Sequence, residues 1–150
     1  GEKRMKVADL MRQPAVTVCA SASLVATAKL MRERDVGFVA VIESGALVGV
    51  ITDRDIVLRS VSVNGRVNDV LVADVMSRHV LICLESQTVE NAAASMGDNQ
   101  VRRLPVLDET GNLVGVLSLD TIAEDYSESL AGETLGEIVE ERSPPPNVDP

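Results

Sequence analysis

Thr52-Asp53-Arg54-Asp55 places a hydroxyl, a guanidinium and two carboxylates directly behind the apolar run Leu47-Val48-Gly49-Val50-Ile51. The run predicts a strand, and Ile56 and Val57 open the apolar face of a helix, so the polar groups fall at a strand-to-helix junction. The first N–H groups of a helix have no partners inside it and, with the helix dipole, favour an anion. The Thr52 hydroxyl and the Arg54 guanidinium can add donors to a phosphate. Asp55, one turn in, is an acceptor that suits the cis-diol of a ribose. Donors for phosphate beside an acceptor for ribose is the polarity that a nucleotide requires. The spacing Thr-x-x-Asp is equally that of a capping box, in which Thr52 and Asp55 cap the helix they begin. The segment by itself admits both readings.

No catalytic set accompanies this junction, and no nucleophile is supplied with a base. His79 is the only histidine; following Ser77-Arg78 at the end of a short turn, it reads as a surface residue. Cys19 and Cys83 have neither CxxC spacing nor a neighbouring His, and read as buried strand thiols in a reducing, cytoplasmic setting. No His/Cys cluster has the spacing of a zinc site, and neither GxSxG nor GxxxxGK[ST] occurs. The formal charge of −9 argues against nucleic acid, whose phosphates call for Lys and Arg. The 23 acidic residues are spread along the chain and read as a solvated surface. No apolar run approaches the roughly 20 residues of a membrane span, and no charged-then-apolar leader is expected.

The elements that position the junction come from an internal repeat. Val7-Ala8-Asp9-Leu10-Met11 recurs as Val72-Ala73-Asp74-Val75-Met76, and Leu47-Val48-Gly49-Val50-Ile51-Thr52 recurs as Leu113-Val114-Gly115-Val116-Leu117-Ser118. The second block is displaced by one residue more than the first. The gain falls in a turn, where Glu43-Ser44-Gly45 becomes Asp108-Glu109-Thr110-Gly111. Each repeat reads as a short amphipathic turn, then a strand (16–19 and 80–84), then a helix. Leu24, Thr27, Ala28 and Met31 form the apolar face of one helix, and Val89, Ala92, Ala93 and Met96 that of the other. Ser23 and Thr88 are their predicted N-caps. A hairpin follows (38–42 with 47–51; 104–107 with 113–117), and a second helix closes each unit. Ile56 and Val57 begin the apolar face of the first closing helix, and Ile122, Ala123, Tyr126 and Leu130 form that of the second. The hairpin strands are apolar on both faces, so both faces should be covered. With 45% apolar residues but only Phe38 and Tyr126 as aromatics, the core is aliphatic and offers no stacked platform for bases.

The expected fold is α/β (α+β): two tandem β-α-β-β-α repeats. The expected boundaries are repeat one over 5–63, a connector over 64–71, repeat two over 72–130, and an acidic, Pro-rich tail over 131–150. Within that tail a short acidic helix is expected over 133–142 and an extended segment over 143–150.

Two such repeats, each with Gly-φ-φ-(Thr/Ser) at a strand-to-helix junction (φ apolar), resemble a pair of cystathionine-β-synthase (CBS) domains. Gly49-Val50-Ile51-Thr52-Asp53-Arg54-Asp55 is similar to the family signature Gly-φ-x-(Thr/Ser)-x-x-Asp. Val101-Arg102-Arg103-Leu104-Pro105-Val106 resembles the strand with a basic pair before φ-Pro-φ. The resemblance covers about residues 5 to 130. It implies pseudo-two-fold symmetry, hairpin sheets that face each other, and two related clefts for AMP, ADP, ATP, S-adenosylmethionine or NAD. Carried over, Asp55 holds the ribose and Thr52 lies on the phosphate side, where the residues themselves also put Arg54. Thr17 and Val18 border the adenine, and Phe38, Val39 and Ala40 form its apolar wall. Arg102 and Arg103, adjacent on a strand, should point to opposite faces; the resemblance puts at least one on phosphate, the alternative being a solvated pair.

The second cleft, around Leu81, Ile82, Leu104, Pro105, Ser118 and Thr121, should be weaker. There Thr121 stands for Asp55, and Leu119-Asp120 for Asp53-Arg54. The resemblance implies a non-enzymatic regulatory module with no catalytic cofactor and no metal. It also implies a homodimer formed through helices and a separately encoded effector; the apolar Ile56, Val57, Val61, Ile122 and Tyr126 on the short closing helices are the candidate dimer contacts. The alternative is a structural, dimerising module with a vestigial cleft.

Overall fold

The computed structural model describes residues 4–61 and 67–140. The expected extended segment 143–150, most of the connector's first half and the end of the helix predicted over 133–142 lie outside the described residues.

Each repeat opens with a four-residue helix, α1 (Val7–Leu10) or α4 (Val72–Val75). Strands β1 (Thr17–Cys19) and β4 (Cys83–Leu84) follow, then helices α2 (Leu24–Arg34) and α5 (Val89–Asn99). The hairpins are β2 (Phe38–Glu43) with β3 (Ala46–Thr52), and β5 (Arg103–Leu107) with β6 (Leu113–Ser118). The closing helices are α3 (Asp53–Ile56), which runs on as a π-helical stretch over Val57–Val61, and α6 (Leu119–Asp125). A further helix, α7 (Glu128–Glu140), ends the described chain. This is the expected order β-α-β-β-α, twice, in two three-stranded sheets, β1-β2-β3 and β4-β5-β6.

Local chemistry accounts for the element ends. Ser23 accepts a hydrogen bond from the Ala26 N–H at 3.0 Å, and Thr88 one from the Asn91 N–H at 3.1 Å, as predicted for N-caps. Ser44 and Gly45, at φ 51° and 80°, turn the first hairpin in the left-handed conformation that matches strand twist. In α2, Leu24, Thr27 and Met31 are buried, but Ala28 is exposed and leaves the predicted face. In α5 the whole predicted face, Val89, Ala92, Ala93 and Met96, is buried. The last helix begins at Glu128, five residues before the expected start, because Ser127 caps it by accepting from the Leu130 N–H at 3.0 Å.

The chain forms two compact units that exchange their opening helices. One unit holds Pro14–Leu81, with the turn Thr110–Leu113; the other holds the chain before residue 14, Ile82–Glu109 and the chain from Val114 on. In the first unit Val72 N–H donates to Ala22 O at 2.8 Å and Ser77 N–H to Val50 O at 2.8 Å. In the second, Val7 N–H donates to Gln87 O at 2.8 Å and Arg12 N–H to Val116 O at 2.9 Å. The signature glycines make these crossings possible. A Cβ on Gly49 would stand 2.7 Å from Ser77 O, and one on Gly115 2.7 Å from Arg12 O.

The core of the first unit gathers Leu24, Met31, Val39, Val41, Ile51, Ile56, Val72 and Val75. In the other unit, Gly97 lets α7 lie close on α5; a Cβ there would meet the Glu137 side chain. The Tyr126 hydroxyl, just after α6, donates to Glu90 Oε2 on α5. Cys83 is buried, and burial pushes its thiol up to about 12, so it is an inert core thiol. Cys19 is exposed rather than buried. It falls in an e-i-e strand, with the residues on either side of Val18 turned away from the core. Among the described residues no helix is long and apolar enough to cross a membrane, and no group of three metal-ligating side chains occurs.

Candidate functional site

The strand register sorts the residues of the first sheet onto two faces. Thr17 pairs with Ala40 in parallel, and Phe38 pairs with Thr52 and Ala40 with Val50 in antiparallel. Since paired side chains share a face and neighbours alternate, Thr17, Phe38, Ala40, Val50 and Thr52 line one face. Val18, Val39, Val41 and Ile51 line the other and pack into the core. Four of the predicted contacts, Thr17, Phe38, Ala40 and Thr52, thus share one face, on which Ala40 is fully buried. The side chains of Val18 and Val39 do not join them; only their backbone borders that face.

At the end of β3 the capping box is complete. The Thr52 N–H donates to Asp55 Oδ2 at 3.0 Å, and the Asp55 N–H donates to Thr52 Oγ1 at 3.1 Å. The remaining leading amides are also satisfied. The Asp53 N–H donates to Gly37 O at 3.0 Å and the Arg54 N–H to Asp53 Oδ1 at 2.8 Å. This corrects the expectation of unpartnered N–H groups facing an anion: the first amides of α3 are already bonded within the unit. Donors for a phosphate reduce to the Thr52 hydroxyl proton and the exposed Arg54 guanidinium.

Asp55 keeps its second oxygen turned elsewhere. Its Oδ1 lies 3.7 Å from Arg59 Nε, and Arg59 Nη1 donates to Val75 O on α4 at 3.2 Å. The sequence reading missed Arg59, though its i,i+4 spacing from Asp55 is the signal for such a pair. Asp53, Arg54, Val57 and Leu58 line an open hollow beside this junction.

The matching junction of the second unit is neutral. The Thr121 N–H donates to Ser118 Oγ at 3.1 Å, and the two hydroxyls lie 3.0 Å apart and share one hydrogen bond. Thr121 is 3% exposed, which removes it as a surface contact. Leu119 is buried and its N–H donates to Arg102 O at 2.9 Å. Leu104 and Pro105 are buried in that unit, whereas Leu81 and Ile82 fall on either side of the unit boundary and outside β4. Arg102 and Arg103 are both exposed and belong to this second unit.

Of the five candidate dimer contacts, Ile56 and Ile122 are core residues, at 8% and 0% exposure. Each is the apolar residue one turn into a short closing helix, where it plugs its own unit. Tyr126 is half-buried, turned to Glu90. Val57 and Val61 are exposed, with Leu58 between them.

Comparison with known proteins agrees with this geometry. The family model described as CBS domain matches residues 7–62 and 72–128. The CBS domain-containing protein YhcV of Bacillus subtilis (strain 168) is 36% identical over 133 residues, covering 88% of this chain and 94% of that protein. A conserved CBS domain protein of unknown function from Thermoplasma acidophilum, TA0289, superposes with a TM-score of 0.79 at 24% identity, over 90% of this chain and 76% of that one. The structure of CBSX2 in complex with AMP superposes with a TM-score of 0.70 at 28% identity, over 83% of this chain and 98% of that one.

Proposed function

Because the chain belongs to the CBS-domain family, whose paired domains are regulatory modules, we propose that it is a non-enzymatic sensor of an adenosine nucleotide. The observation that carries this reading is the junction of the first unit. Asp55 presents a half-buried carboxylate one turn behind the Thr52 hydroxyl and beside the exposed Arg54. A ribose diol needs an ionised acceptor, and a phosphate needs a hydroxyl and a cation beside it. The relative solved with AMP supports the ligand class. Thr17 and Phe38 supply a mixed face for the base. AMP, ADP, ATP, NAD and S-adenosylmethionine remain the panel. A thermal-shift screen across that panel tests the reading, since a ligand of the folded state raises the melting temperature with concentration. No shift with any of the five contradicts it.

A nucleotide regulates only if it prefers one arrangement of the protein. The exposed Val57, Leu58 and Val61 favour a homodimer through the first closing helix as part of that arrangement. They also support the second reading, a dimerising module whose cleft is vestigial. Cys19 and Cys83 are both free thiols, consistent with a cytoplasmic setting.

A further inference from the structure

Asp55 is the carboxylate assigned to the ribose, and one of its oxygens already faces a cation. Resting on the nucleotide reading above, we infer that Arg59 is a built-in competitor for the ribose. It faces the oxygen assigned to the ligand and must yield it when the diol binds.

A cis-diol presents two O–H donors, and a carboxylate receives them best with one oxygen each. Oδ2 accepts the Thr52 N–H at 3.0 Å and has capacity for a second donor. Oδ1 is the oxygen turned to Arg59 Nε, 3.7 Å away. The other end of the guanidinium is anchored, because Nη1 donates to the Val75 carbonyl at 3.2 Å. Arg59 is therefore held over Asp55 by α4 rather than swinging freely, although its side chain is 53% exposed against 18% for Asp55.

The second unit provides an internal control. One repeat further on, Thr121 stands in place of Asp55 and Asp125 in place of Arg59. Asp125 turns away from Thr121 and pairs with Arg12 at 3.4 Å. The cation at this helical position is present where the carboxylate is present, and is replaced by an acid where the carboxylate is gone. A general stabilising role for a basic residue at this point of the helix would not produce that exchange. Displacement also reaches beyond affinity, because an Arg59 drawn off Asp55 is left with its bond to the Val75 carbonyl on α4.

The test uses adenosine, an uncharged probe, so that attraction between Arg59 and a phosphate does not enter. Calorimetry compares the parent with Arg59→Met, which keeps the apolar stem without the charge, and with Arg59→Lys, which keeps the charge. An exposed ion pair contributes little, so Arg59→Met should bind adenosine about two- to fivefold more tightly. Arg59→Lys should stay close to the parent. In an Asp55→Asn background, Arg59→Met should change nothing. If Arg59→Met fails to fold, Arg59→Gln retains a donor for the Val75 carbonyl and carries the same expectation. Unchanged or weaker adenosine binding by the neutral variants of a parent that does bind overturns the inference alone. A parent that binds neither adenosine nor any adenosine nucleotide overturns the functional reading, and this inference with it.

Discussion

At the scale of single residues, Asp55 completes the capping box with Thr52, and the proposed function gives it a second role that the sequence presented as the alternative. Its other oxygen faces Arg59. Asp55→Ala should therefore cost both ligand and fold. Loss of charge-assisted hydrogen bonds worth roughly 1.5–3 kcal/mol corresponds to about a ten- to hundredfold weaker nucleotide affinity. Loss of the cap should lower the stability of the unliganded protein by about 1 kcal/mol. Titration and denaturant melts on the same variant separate the two; a melt that shifts while affinity holds leaves capping as the only role. The identity of these residues was legible in the sequence because Thr-x-x-Asp behind an apolar run is a local pattern. The fate of the leading amides was not. It depends on Gly37 O, just before β2, which the sheet brings beside Asp53 N.

A second residue pair fixes a pH response. The hydrogen bond from the Tyr126 hydroxyl holds the Glu90 carboxyl below its ordinary range, and the same bond to Glu90 raises the Tyr126 phenol. A carboxyl lowered by folding contributes stability above its unfolded pKa and loses it as pH falls through the folded value. A phenol raised by folding contributes below its unfolded pKa and loses it as pH rises through the folded value. Tyr126→Phe should thus reduce stability at neutral pH, with the difference from the parent shrinking towards both acid and alkaline limits. Melting curves across pH check it, and a pH-independent difference contradicts it.

At the scale of elements, the alternation of strands and the periodicity of helices made β-α-β-β-α readable from the chain alone. What packs on each element was less so. The glycines of the signature looked like sequence markers, but they are clearance for the exchanged segments at Ser77 and Arg12. A Cβ on Gly49 meets a backbone carbonyl, which cannot turn aside as a side chain tip can. Gly49→Ala should destabilise by about 1–3 kcal/mol, the usual cost of overpacking, and Gly115→Ala by a similar amount. Equilibrium unfolding in denaturant measures both. Ala substitutions at Gly132 and Gly136, with nothing within 4 Å of the added Cβ, should instead stabilise α7 through helix propensity. The exchange of α1 and α4 between units was not visible in the repeat. Val7-Ala8-Asp9-Leu10-Met11 and its copy are so alike that the pattern does not say which body each one closes. The π-helical run over Val57–Val61 was likewise hidden, since Ile56 and Val57 match an ordinary helical start. Ser60, buried at 1% within it, has no periodicity signal to announce it.

At the scale of the whole molecule, the proposed function predicts association and inequality. Val57, Leu58 and Val61 are 53%, 47% and 50% exposed, on a chain of net charge −9. If they form the dimer contact, Val57→Asp together with Val61→Asp should shift the protein to a monomer in light scattering while the fold is kept. A monomeric parent at high micromolar concentration contradicts the dimer. The inequality of the two halves was legible in the sequence as Thr121 for Asp55, and the neutral, hydrogen-bonded Ser118–Thr121 pair gives it a physical basis. Calorimetric titration of AMP into the parent, Asp55→Ala and Thr121→Ala tests the central claim most directly. The account predicts one site per chain, abolished by Asp55→Ala and spared by Thr121→Ala. Two sites of similar affinity per chain, or a single site that survives Asp55→Ala, would contradict it.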